Sequence, residues 1–110
     1  MATENLLLSF GYGTETFESA EAFLNATATS EATCLVVDIQ LGDISGVELA
    51  RQLAADGFKY PIIFMTALDD ERIRSQAEAT GAVAYLNKPF PPKLLIDAIV
   101  KAIGEPMRQM

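Results

Sequence analysis

The chain has 110 residues, half of them apolar, and a net charge of −7, which suits one small domain with a single core. Residues 1–50 carry eight acidic and no basic side chains, so a nucleic-acid surface built from clustered Lys and Arg is excluded. The lack of histidine and the single cysteine, Cys34, exclude a zinc site and a disulfide framework. No signal peptide or membrane span is found, and we expect a cytoplasmic protein.

The predicted elements alternate between helices and strands. The first half holds a helix end (6–13), a strand (14–18), a helix after Ser19 (20–24), a weak polar stretch (25–33) and a central strand (34–39). The second half holds a turn (40–46), a helix from residue 47 to Asp56-Gly57, a strand (62–65), a helix from 69–71 to Gly81, a strand (83–86) and a last helix after Pro91-Pro92. The apolar stripe of this last helix is predicted to be core: Leu95, Ala98, Ile99, Ala102 and Ile103. Residues 1–104 are predicted to form one domain, and 105–110 a tail or the start of a linker.

The strands at 34–39 and 62–65 are continuously apolar rather than alternating. Strands of this kind are buried on both faces, which is typical of a parallel sheet between two layers of helices. We therefore predict a doubly wound α/β fold with right-handed crossovers. Ligands of such folds bind at the carboxyl ends of the strands. Gly13, Gly57 and Gly81 are expected at the opposite edge, as return turns.

Three polar side chains end or follow three of these strands: Asp38, Thr66 and Lys88. Each has an ordinary explanation on its own, because a strand-terminal aspartate or threonine is often a turn former and a lysine is usually solvated. Parallel strands end at one edge, so the three side chains are expected to converge there. Together they make Asp38 a candidate phosphoryl acceptor. The acidic run at 69–71 is interpreted as helix N-terminal charge rather than a metal site.

Four motifs, in the correct order, resemble the receiver domain of two-component response regulators. They are the Leu-Val-Val-Asp-Ile-Gln-Leu of residues 35–41, the Asp-Ile-Ser-Gly-Val-Glu-Leu of 43–49, the Pro-Ile-Ile-Phe-Met-Thr-Ala of 61–67, and Gly81-Ala82 leading to Tyr-Leu-Asn-Lys-Pro-Phe at 85–90. The resemblance covers essentially the whole chain. It implies a flavodoxin-like sheet of five parallel strands in the order 2-1-3-4-5.

The resemblance also implies a role for each residue of the site. Asp38 is similar to the nucleophile that takes a phosphoryl group from a histidine kinase, Thr66 to the hydroxyl donor, and Lys88 to the cation that neutralises the group. The bond between Lys88 and Pro89 resembles the family's cis peptide. Tyr85 resembles the switch aromatic that moves with Thr66, although a half-buried strand aromatic is an equal alternative.

Mg²⁺ is the cofactor that the resemblance implies, with Asp38 and the main-chain carbonyl of Gln40 as ligands. The family's first strand ends in acids that also bind the metal. Residues 1–5 already match the middle of helix 1, so roughly fifteen residues, with strand 1 and those acids, are expected to be absent. We therefore expect weakened Mg²⁺ binding. The opened sheet is expected either to admit the strand 14–18 or to favour self-association, through the bare strand edge or the last helix.

Two functions remain open. One is a phosphoacceptor signalling domain, rather than a turnover enzyme, that receives a phosphoryl group from a sensor histidine kinase and relays it to an output that is transcriptional by analogy. The other is a receiver-derived module that is not phosphorylated and works by protein binding alone. A flavodoxin-like cofactor enzyme fits less well, because no Gly-, Ser- or Thr-rich phosphate loop follows any predicted strand.

Overall fold

The computed structural model describes residues 19–27, 33–40, 44–67 and 70–103. Within these ranges the elements are α1 (Ala20–Ala26), β1 (Leu35–Asp38), α2 (Gly46–Ala55), β2 (Ile62–Thr66), α3 (Glu71–Ala79), β3 (Ala84–Asn87) and α4 (Pro92–Ile103). A helix follows each of these strands, as the alternating pattern predicted. The predictions for the helix end at 6–13, the strand at 14–18 and the tail at 105–110 fall outside the described residues.

The described strands form one parallel sheet in the order β1-β2-β3. Val37 of β1 pairs with Phe64 of β2, and Phe64 pairs with Tyr85 of β3. This is the order expected for the last three strands of the 2-1-3-4-5 sheet. The strand bounds differ by one residue from those predicted: β1 begins at 35 rather than 34, and β3 runs over 84–87 rather than 83–86.

Helices cover both faces of the sheet. On one face, Phe64 is buried in a core that it shares with Phe23 of α1 and Leu53 of α2. On the other face, Ile63 is buried against Leu95 of α4. Neighbouring residues of β2 thus enter different cores, which explains why this strand is apolar without alternation. The predicted doubly wound α/β fold is confirmed.

The helix ends are set by local side chains. Ser45 caps α2 and Asp70 caps α3, each accepting a hydrogen bond from a main-chain N–H of the first turn, at 3.1 and 2.9 Å. Gly57 and Gly81 follow these helices with φ of 87° and 81°, a conformation that glycine adopts without steric cost. These turns return the chain to the amino ends of β2 and β3, at the edge opposite Asp38.

The last helix, α4, packs on the sheet through Leu95, Ala98 and Ile99. Ile103, which was predicted to belong to the same core stripe, is instead 40% exposed. It lies on the flank of the stripe, because successive helical residues turn by a fixed angle that carries position 103 away from the sheet. Among the described helices, none has the length and apolar character needed to cross a membrane.

Candidate functional site

Asp38 and Lys88 meet at the carboxyl edge of the sheet. The Nζ atom of Lys88 lies 2.6 Å from Oδ2 of Asp38, although fifty residues separate them in the chain. The side chain of Asp38 is 32% exposed and that of Lys88 is 38% exposed, so an incoming group can reach the pair. An ion pair this open adds at most about 1 kcal/mol to folding stability. The peptide bond between Lys88 and Pro89 is cis.

The second carboxylate oxygen of Asp38 is held by the main chain. Oδ1 accepts a hydrogen bond from the N–H of Gln40 at 2.9 Å, the arrangement of an Asx turn. The sequence resemblance implies a role for the carbonyl of Gln40 but not for this amide. The signal that could have found it is an aspartate placed directly before a turn. The two oxygens therefore have different partners, and the carboxylate has a defined orientation.

Main-chain hydrogen bonds to β2 align the ends of the three strands. The N–H of Ile39 donates to the carbonyl of Met65 at 2.9 Å, and the N–H of Lys88 donates to the carbonyl of Thr66 at 2.7 Å. These bonds continue β1 and β3 past Asp38 and up to Lys88. Thr66 ends β2 between them and is completely buried. The structure therefore brings all three predicted residues to one edge, with Asp38 and Lys88 in direct contact.

Tyr85 lies on β3, with its ring against the core on the face of α1, α2 and α3 and its hydroxyl oxygen buried. The guanidinium carbon of Arg74, in α3, lies 5.6 Å from the centre of this ring, within the range of a cation–π interaction. Arg74 also forms an ion pair with Glu78 at 3.6 Å. The sequence does not single out Arg74, because the position of its side chain over the Tyr85 ring depends on how α3 packs against β3.

Among the described residues, the carboxyl edge offers few metal ligands. Across residues 19–27, 33–40, 44–67 and 70–103, no three His, Cys, Asp or Glu side chains cluster closely enough to hold an ion. Mg²⁺ is usually held by one or two carboxylates together with water and substrate phosphate. The carboxylate of Asp38 is already engaged by Lys88 and by the amide of Gln40. The described residues therefore supply only a small part of the ligand set that Mg²⁺ usually has.

Cys34 precedes β1 and is partly buried. Desolvation by this burial raises the pKa of its thiol from 9.0 to about 11, because burial disfavours the thiolate. The thiolate is the reactive form of cysteine. Cys34 is thus a neutral thiol near pH 7, in agreement with its interpretation as a small hydrophobic side chain.

The fold and the site together define a class of protein. It is a doubly wound α/β domain with a carboxylate and a lysine at the carboxyl edge of its sheet. The model of the response regulator receiver domain matches residues 1–100. The transcriptional regulatory protein TdiR of Thauera aromatica is 39% identical over 99 residues, which are 90% of this chain and 44% of TdiR. The response regulator protein TodT of Pseudomonas putida is 36% identical over 102 residues, 93% of this chain and 45% of TodT.

Solved structures of receiver domains are similar to this chain as well. The crystal structure of FixJ-N superposes with a TM-score of 0.85 at 32% identity, covering 99% of this chain and 86% of that one. A response regulator receiver protein from Burkholderia phymatum superposes with a TM-score of 0.79 at 37% identity, covering 94% and 84%. The chain belongs to the response regulator receiver domain family of two-component systems. It spans less than half the length of TdiR and TodT. Receiver domains interact with histidine kinases and generally use Mg²⁺.

Proposed function

We propose that Asp38 accepts a phosphoryl group from a histidine kinase. The observation that carries this proposal is the contact between Lys88 Nζ and Asp38 Oδ2 at 2.6 Å, in a pair that solvent reaches. A carboxylate oxygen forms the new bond to phosphorus, the P–N bond of the kinase phosphohistidine breaks, and its electron pair returns to the imidazole. The product is an acyl phosphate, which is labile enough to serve as a reversible signal.

In this proposal Lys88 and Thr66 stabilise the transferred group. Phosphoryl transfer depends chiefly on positioning and on neutralising charge at the phosphoryl oxygens. The ammonium of Lys88 already contacts the acceptor carboxylate and supplies positive charge there. Thr66 ends the strand between Asp38 and Lys88, so a small shift would let its hydroxyl donate to a phosphoryl oxygen.

The signal then passes from the site to the face formed by α3, β3 and α4. We propose that Tyr85 moves when Thr66 binds the phosphoryl group. The two residues lie on neighbouring strands, β2 and β3, and Tyr85 contacts α3 through Arg74. TdiR and FixJ are named as transcriptional regulatory proteins. We propose the same kind of output, in the cytoplasm, for the protein to which this domain belongs.

Mg²⁺ is the metal that this proposal involves, and when bound it would neutralise charge on the transferred group. Asp38 and the main-chain carbonyl of Gln40 are the ligands we propose in the described part of the chain. Since this donor set is small, we propose that binding is weak, so that phosphorylation saturates only at high Mg²⁺ concentration. Titration of the phosphorylation rate with Mg²⁺ measures this directly.

Mass spectrometry of the intact protein tests phosphorylation. The protein is incubated with acetyl phosphate and Mg²⁺, and a gain of one phosphoryl mass is expected. Asp38→Asn should abolish the gain. Asp97→Asn is the matched control, because Asp97 is an exposed aspartate on α4, away from the site. A gain that survives Asp38→Asn would contradict the proposed acceptor.

A module that works by binding alone is the second candidate. The scarcity of metal ligands among the described residues favours it. If the folded wild-type protein gains no phosphoryl group at saturating Mg²⁺ and acetyl phosphate, yet binds a histidine kinase, this second function replaces the first.

We also propose self-association through α4. Ile96, Val100 and Ile103 follow the spacing that places side chains on one helical face, and Val100 and Ile103 are 37% and 40% exposed. Val100→Glu should reduce the mass measured by light scattering at high concentration. Leu94→Glu, at an apolar residue 46% exposed on the other flank of the helix, should leave it unchanged. Self-association through the edge of the central strand stays a prediction, because residues 1–18 lie outside the described ranges.

A further inference from the structure

We propose that Gly46 is a positioning residue for Asp38. Its lack of a side chain lets the start of α2 press against the end of β1, and this contact fixes the main chain that holds Oδ1 of the acceptor carboxylate. The inference deepens the proposed function, and its consequence for phosphorylation rests on that function.

Atoms of residues 37–39 leave no room for a side chain at Gly46. A Cβ atom at this position would lie 2.8 Å from Cγ1 of Val37, 2.9 Å from the carbonyl oxygen of Asp38 and 3.1 Å from Cα of Ile39. Carbon atoms in ordinary contact are about 3.5–4.0 Å apart. Two of the three neighbours belong to the main chain of residues 38 and 39, so a change of rotamer cannot relieve the overlap.

A short chain of contacts leads from Gly46 to the carboxylate. The N–H of Gly46 donates to the carbonyl of Ile39 at 2.8 Å, and Ile39 is followed by Gln40, whose N–H donates to Asp38 Oδ1 at 2.9 Å. Any displacement of the α2 start from β1 therefore moves the peptide units on either side of Ile39. Lys88, which holds the other oxygen, directly follows β3 and would not follow this movement. The expected result is a rotated carboxylate.

The other described glycines differ from Gly46. Gly57 and Gly81 have positive φ and no atom within 4 Å of an added Cβ, so their backbone conformation explains them. Gly46 is helical, and positive φ occurs only at Gly57 and Gly81 within the described residues, so alanine could adopt its conformation. Alanine is also the better helix former. The crowding against β1 is thus the feature of the structure that calls for glycine at position 46.

The amide of Gln40 gives a direct readout. In ¹⁵N-labelled wild-type protein, hydrogen exchange at this amide should be slow, because its N–H is hydrogen-bonded to Oδ1 of Asp38. Gly46→Ala should break this hydrogen bond, which shifts the amide signal of Gln40 and increases its hydrogen exchange. Gly57→Ala is the matched control. It also adds a methyl to a glycine at one end of α2, but at the opposite edge of the sheet, so the protection of the Gln40 amide should persist.

Phosphorylation by acetyl phosphate gives the functional readout. Gly46→Ala should lower the rate constant by about 10-fold to 100-fold, the effect of displacing a reacting group by up to 1 Å. Gly57→Ala should remain within about twofold of wild type, since no atom of the site contacts it.

A second pair of variants keeps the proposal testable if Gly46→Ala does not fold. Val37→Ala removes the side-chain atom nearest to the new methyl, so Val37→Ala/Gly46→Ala is compared with Val37→Ala alone. The main-chain contacts to residues 38 and 39 remain, and the double variant should still lose the protection of the Gln40 amide. Equal hydrogen exchange at the Gln40 amide in both variants, or in wild type and Gly46→Ala, overturns the proposal. If wild type accepts no phosphoryl group, the proposed function fails, and the amide measurement still decides the role of Gly46.

Discussion

Lys88 contacts Asp38 across a strand that lies between them. Asp38 ends β1 and Lys88 follows β3, and both strands pair with β2 rather than with each other. Neighbouring strands lie about 4.8 Å apart, so the two main chains are separated by about 10 Å. A long side chain is needed to bridge this gap, and the ammonium of Lys88 reaches Oδ2 of Asp38 at 2.6 Å.

Removal of this charge should slow phosphoryl transfer far more than it changes stability. Lys88→Met keeps an unbranched side chain without the ammonium, and the rate of phosphorylation by acetyl phosphate should fall by about 100-fold or more. The free energy of unfolding should change by no more than about 1 kcal/mol, because the pair is over a third exposed on the lysine side. Lys59→Met, at an exposed lysine on the opposite edge, should keep the wild-type rate. Equal rates in Lys88→Met and wild type would remove Lys88 from the mechanism.

Thr66 and Tyr85 should separate acceptance of the phosphoryl group from the response to it. Thr66→Val removes the hydroxyl from a completely buried position and should still permit phosphorylation of Asp38. The shift of the Tyr85 ring signals on phosphorylation, followed by NMR with labelled tyrosine, should be lost. Thr66→Ser should restore it, because the hydroxyl returns. A Tyr85 shift that survives in Thr66→Val would show that the two residues are not coupled.

Arg74 should stabilise the domain through the ring of Tyr85. Arg74→Gln removes a guanidinium 5.6 Å from the ring centre and should lower the free energy of unfolding by about 0.5–1 kcal/mol. Arg72→Gln changes an exposed arginine of the same helix and serves as the control in urea denaturation. Glu78→Gln tests the ion pair separately, and its effect should be smaller since both side chains are more than half exposed. Equal losses in Arg74→Gln and Arg72→Gln would argue against the ring interaction.

Cys34 should make stability fall at alkaline pH. Burial raises the pKa of its thiol from 9.0 to about 11, so the unfolded state loses this proton first. Below about pH 9 both states hold the proton and the group contributes no pH dependence. Between about pH 9 and 11 the free energy of unfolding should decrease as pH rises, and level off above. Urea denaturation of wild type and Cys34→Ala across this range isolates the effect, because other titrating groups are common to both. Parallel pH curves for the two proteins would contradict the assignment.

Much of the fold can be predicted from the pattern of apolar residues in the sequence. The continuous apolar runs before Asp38 and Thr66 predict parallel strands buried on both faces, and the carboxyl ends of such strands share an edge. That is why the proximity of Asp38 and Lys88 could be expected from the sequence. The family resemblance agrees with the structure over the described strands, and the match extends over residues 1–100.

The remaining features of the site depend on geometry that residue type does not encode. Gly46 stands in a run of turn formers with Gly42, Asp43 and Ser45, and its sequence context does not distinguish a glycine needed for conformation from one needed for space. The hydrogen bond from the Gln40 amide depends on the path of the main chain after Asp38. These contacts arise from how α2 approaches β1, which becomes visible only in three dimensions.

The middle strand, β2, is buried at all five positions. It aligns the two sides of the site through the carbonyls of Met65 and Thr66, which are groups that every amino acid possesses. Substitutions among apolar side chains of β2 are therefore constrained by core volume rather than by chemistry at the carboxyl edge. Related chains can repack this strand to suit different helices while the spacing between the acceptor and its lysine stays the same.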